Sequence, residues 1–97
     1  MSEEAEEVKA EIYGKLESLY SAVNRLRFYR EMSMFEEVEG LEKTVEQLRK
    51  ELGLTGEDVE SFADELDDYY VTGQTGHGDE DPISRWTTIV YERLFKT

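Results

Sequence analysis

The sequence predicts an all-α fold, a small helical bundle built on a long antiparallel helical hairpin plus two shorter helices. Three features carry that reading. Apolar residues recur at spacings of three and four through the first half, helix-start and helix-stop residues punctuate the breaks between stripes, and no segment there alternates as a half-buried strand would. At 97 residues the chain forms a single domain, able to bury about two-thirds of its unfolded surface.

The first helix is expected over about residues 3–31. Ile12, Leu16, Leu19, Val23 and Leu26 form a seam with coiled-coil spacing, and Val8 extends it one turn back. Ser2 is the expected cap, and Glu3 and Glu4 suit the positive end of the helix dipole. Such a helix, unbroken, is roughly 43 Å long. A compact sphere of this chain length is only roughly 32 Å across, from a radius of gyration near 12.5 Å. A kink at Gly14, fraying of the acidic first turns, or an elongated molecule that pairs with another copy would resolve the conflict. Fraying is the simplest, because Glu3 to Glu7 have little to bury. Tyr13 and Tyr20 widen the apolar arc to about half the circumference, which calls for two partner helices.

The second helix is expected over about 34–52, with Met34, Val38, Leu41, Val45, Leu48 and Leu52 as its seam. Ser33 and Glu36 have the spacing of a capping box, and a connection this short makes the two helices antiparallel neighbours. Arg25, Arg27 and Arg30 gather at the end of the first helix, where cations favour the dipole and can pair with Glu36, Glu37 or Glu39. Arg30 occupies a seam position, which suggests pairing across the bundle. Gly53 terminates the second helix and lets Leu54 fold back on Leu48.

The third helix, about 56–70, starts from a Thr55–Asp58 capping box with Leu54 and Val59 as a hydrophobic staple. Val59, Phe62, Ala63, Leu66, Tyr69 and Tyr70 fall within about 120° of arc. Residues 71–82 read as loop, ending in an Asp81 cap with Pro82 in the first helical turn. A fourth helix follows at about 83–95, with Ile83, Trp86, Ile89, Val90 and Leu94 at helical spacing and Phe95 beside them. Its β-branched run, Thr87 to Val90, makes a strand the competing reading, but no second strand is present to pair with it. The aromatic rings of Phe62, Trp86, Tyr91 and Phe95 are expected in the core.

Charge is the main functional signal. Acids outnumber bases 24 to 11, for a net charge of −13, so the chain repels nucleic acid and anionic membranes. The excess is local: residues 54–82 carry ten acids and no lysine or arginine. From Glu57 to Asp68 the seven carboxylates give one charge per about 2.6 Å of helix rise, within a factor of two of duplex DNA at roughly 1.7 Å. The function expected is therefore a non-catalytic protein-binding or regulatory module. Its acidic amphipathic helix, through Glu57, Glu60, Asp64, Asp67, Asp68 and Tyr69, engages a basic protein surface. A nucleic-acid-binding protein is one such partner, which would make the chain a nucleic-acid-mimic inhibitor. The alternative is an assembly or structural subunit, a homodimer included, that self-associates through the leucine-rich hairpin while the acids only solubilise it.

Other chemistries lack their residues. Without cysteine there is no disulfide framework or thiolate centre. His77 stands near Asp79, Glu80 and Asp81, but neither a calcium-loop nor a two-histidine metal pattern surrounds it, so no metal or other cofactor is expected. The glycines from Gly73 to Gly78 lack the lysine of a phosphate loop. No carboxylate or serine is marked as catalytic, so no enzyme is expected. The longest apolar run is three residues, with neither a membrane span nor a signal peptide, and a cytoplasmic location is the expectation.

Overall fold

A computed structural model describes residues 3–72 and 81–95, in four helices: α1 (Glu3–Glu31), α2 (Phe35–Glu51), α3 (Gly56–Thr72) and α4 (Pro82–Phe95). Among the described residues there is no strand, so the β-branched run of α4 is helical. The Ser2 cap and the glycine and histidine segment 73–80 lie outside the described residues.

α1 is the spine. α2, α4 and α3 all pack on it, and α3 and α4 also touch each other. The apolar arc of α1 thus serves three neighbours. Its seam residues Ile12, Leu16, Leu19 and Val23 meet Leu52, Leu54, Val59, Phe62, Ala63, Leu66, Ile83, Trp86 and Val90 in one core. The Phe62 ring lies edge-on to Trp86 at 5.9 Å and to Tyr20 at 6.4 Å, the arrangement that ring quadrupoles favour. Two ion pairs mark the antiparallel register of the hairpin: Lys15 to Glu51 at 3.2 Å and Arg30 to Glu42 at 2.9 Å. Arg30 therefore does pair across the bundle, although with Glu42 rather than with the glutamates nearest in sequence.

α1 runs unbroken from Glu3 and through Gly14, so neither fraying nor a break resolves the length conflict. The molecule is elongated instead, 48 × 29 × 20 Å with a radius of gyration of 14.2 Å.

The α1–α2 turn departs from the expected capping box. Ser33 has φ 58°, the left-handed conformation. Its N–H donates to the Arg30 carbonyl at 3.2 Å, and the Met34 N–H donates to the Tyr29 carbonyl at 2.9 Å. This is the Schellman closure of α1, with serine where glycine is usual. An N-cap residue needs extended backbone, so Ser33 cannot also start α2. That position falls to Met34, which makes no side-chain cap bond, and α2 begins at Phe35.

The other junctions follow the sequence. Gly53 closes α2 at φ 65°, and a methyl group there would meet Leu94 Cδ2 at 3.2 Å. Thr55 and Asp58 form a reciprocal box at 2.9 and 3.0 Å. Asp81 Oδ1 accepts the Ile83 N–H at 3.1 Å, with Pro82 first in α4. Within α4 the buried face is Ile83, Trp86, Thr87 and Val90. Leu94 and Phe95 are exposed, contrary to the expectation of the Phe95 ring in the core, because the buried face of α4 ends at Val90.

Candidate interaction surfaces

The third helix turns Val59, Phe62, Ala63 and Leu66 inward, as its pattern requires. Its opposite face is acidic but not uniformly available. Asp67 accepts the Tyr20 hydroxyl at 2.7 Å and the Arg27 guanidinium at 3.1 Å. Arg27 also reaches Asp64 at 3.3 Å. Asp58 binds Arg93 at 2.7 Å, and Glu65 takes both Arg85 and the Trp86 indole N–H. Arginines from α1 and α4 thus flank α3 and fasten it to the core.

At least Asp58, Asp64, Glu65 and Asp67 are engaged in this way, so the acidic face of α3 is neutralised in part rather than anionic along its whole length. The physical reason is distance. Residues 54–82 contain no lysine or arginine, so charge along the helix is not balanced locally, and arginines far away in sequence fold over to balance it. Arg93, more than any other group, holds the Asp58 carboxyl below the usual carboxylate range, helped by the bonds from Thr55.

The six residues assigned to partner binding are therefore divided. Glu57 and Glu60 are exposed and make no ion pair among the described residues. Asp64 keeps 71 % of its side chain exposed while sharing Arg27, and Asp67 is part-buried and structural. Asp68 is exposed. Tyr69 is half-buried, and the outward ring is Tyr70, 60 % exposed and 5.7 Å from Tyr20. Of the two neighbouring rings Tyr70 is the more accessible, because the apolar arc turns off the core within that residue pair.

A second surface lies on the hairpin, the element to which the alternative reading gave self-association, though on its outer side and turn as well as its leucine seam. The ion pairs that tie α3 to α1 end at Arg27, and beyond it the hairpin stands as a sparsely buried two-helix arm. From residue 27 to residue 51, Val38 alone is buried. Leu41, Val45 and Leu48 of the α2 seam are only half-covered, since α1 is their main neighbour. Around the turn, Phe28 is 55 %, Met32 59 %, Met34 39 % and Phe35 71 % exposed. The signal lay in the sequence. Phe28 sits two residues from both Leu26 and Arg30, about 160° of arc off the seam, and Met32 follows it by one turn on that outer side.

Where arm and body meet, a groove of about 210 Å³ separates α2 from α3. Its apolar lining is Val23, Leu26, Val45 and Val59, and Arg30 and Glu60 stand among its charged lining residues. Among the described residues, no cluster of three potential ligand side chains could hold a metal ion. No described helix is long and apolar enough to cross a membrane. Comparison with protein-family models, curated proteins and solved structures gave no match.

Proposed function

We propose that the chain is a non-catalytic docking and assembly module whose working surface is the hairpin arm. One observation carries this reading: a helix pair with a single buried residue between positions 27 and 51 exposes two phenylalanines and two methionines at its end. Helices in proteins gain most of their stability from packing, and this stretch of the hairpin buries only Val38 fully. Exposed apolar groups clustered within eight residues of chain mark an interaction site more often than scattered ones do. Methionine and aromatic side chains are also the types enriched in interface centres.

A second reading, the engagement of a basic partner by α3, is supported by Glu57 and Glu60, which point outward on a segment without a compensating base. Its nucleic-acid-mimic form is weakened by the arginines on Asp58, Asp64, Glu65 and Asp67, which interrupt the charge that a duplex-binding groove would read.

Site-specific photocrosslinking separates the two. A photoreactive phenylalanine at position 35 gives discrete adducts in cell extract under the arm reading, whereas one at position 60 gives none. Adducts from position 60 alone reverse the order of the readings.

A further inference from the structure

We infer that the partner of the arm is a second copy of this chain, joined by an isologous contact in which the end of α1 in one copy lies against the start of α2 in the other. The inference rests on the arm being the working surface and adds its occupant.

Charge selects the occupant. The last two turns of α1 carry Arg25, Arg27 and Arg30 against one acid, Glu31. The first two turns of α2 carry Glu36, Glu37, Glu39 and Glu42, with no base before Lys43. Within one copy the balance is incomplete. Arg30 binds Glu42, Arg27 is turned to Asp64 and Asp67 on α3, and Lys43 lies 3.9 Å from Glu39. Arg25, Glu36 and Glu37 are exposed and make no ion pair among the described residues.

A twofold contact pairs like surfaces in one of three ways. Placing α1 on α1 opposes arginines, and placing α2 on α2 opposes glutamates; both repel. Placing α1 on the α2 of the other copy brings Arg25 toward Glu36 and Glu37 twice, once on each side of the axis. Arg25 also shares the outer side of α1 with Phe28 and Met32, at three and seven residues' separation, so the charges flank the apolar contact rather than interrupt it. The product is a four-helix arrangement at the arms, with the two bodies held apart and their acidic α3 helices on the outside.

The test is sedimentation equilibrium on the full chain with four preparations: the native sequence, Arg25→Glu, Glu36→Lys/Glu37→Lys, and the two charge variants mixed. The native chain should be a dimer, each variant alone should dissociate at least about tenfold more readily, and the equimolar mixture should recover dimer. Phe28→Ser/Phe35→Ser, with helicity checked by circular dichroism, should be monomeric. A native chain that stays monomeric to roughly 1 mM overturns the inference. In that event, native binding of an apolar fluorescent probe that is lost in Phe28→Ser/Phe35→Ser leaves the docking reading standing. A dimer indifferent to all of these variants overturns both.

Discussion

The Tyr13 hydroxyl donates to Asp81 Oδ2 at 2.8 Å, joining two residues 68 positions apart in the chain. The same carboxylate caps α4 through its other oxygen, so one side chain both starts the helix and fixes it to the spine. The bond to Asp81, more than burial, pushes Tyr13 up to about 12.

This bond has an alkaline signature. A tyrosine whose folded pKa lies above its unfolded value near 10 contributes fully below pH 10, and the contribution is lost as pH rises toward 12. Tyr13→Phe should therefore cost about 1 kcal/mol at pH 7, with the difference from the native chain shrinking between pH 10 and 12. Urea melts at stepped pH measure it, and a constant difference would exclude the Asp81 bond as the cause.

Asp58 should behave in the opposite direction. Its folded pKa is depressed, chiefly by Arg93, so its contribution is present above the unfolded carboxylate range and disappears as pH falls through the folded value. Asp58→Asn should cost about 1 kcal/mol at pH 7, and the two chains should melt alike near pH 2 or below.

The acids of α3 should separate into two groups on mutation. Asp67→Ala removes the acceptor for Tyr20 and one for Arg27 and should destabilise by about 1 kcal/mol. Glu57→Gln and Glu60→Gln should stay within about 0.5 kcal/mol of the native chain, or raise its melting temperature by relieving repulsion. Equal costs at all three positions would contradict the division of this face.

Ser33 offers a test of the turn. At φ 58° a serine is strained, and glycine is not. Ser33→Gly should raise stability by about 0.5–1 kcal/mol. Were Ser33 the cap of α2, the same change would instead cost a few tenths.

Hydrogen exchange should expose the arm directly. In dilute protein, amides of residues 36–46 should exchange at least about tenfold faster than those of 12–23, because few buried contacts oppose local opening there. Under the dimer inference the contrast should narrow as protein concentration rises.

The sequence by itself determined the four helices, most of their ends and their inner faces. Each rests on interactions within a few residues: the three-four spacing of Ile12 to Leu26, the Thr55–Asp58 box, and Gly53 at the left-handed stop. Where two local devices competed for one residue, at Ser33, only the closed turn showed which prevailed. The tertiary structure alone decided how α3 uses its acids and where the arm stands bare. Arg27 meets Asp67 across 40 positions and Arg93 meets Asp58 across 35, and no local pattern encodes which distant base a carboxylate will find. The unpartnered arm likewise follows from where α3 and α4 stop along α1, a matter of how elements pack and not of what each residue prefers.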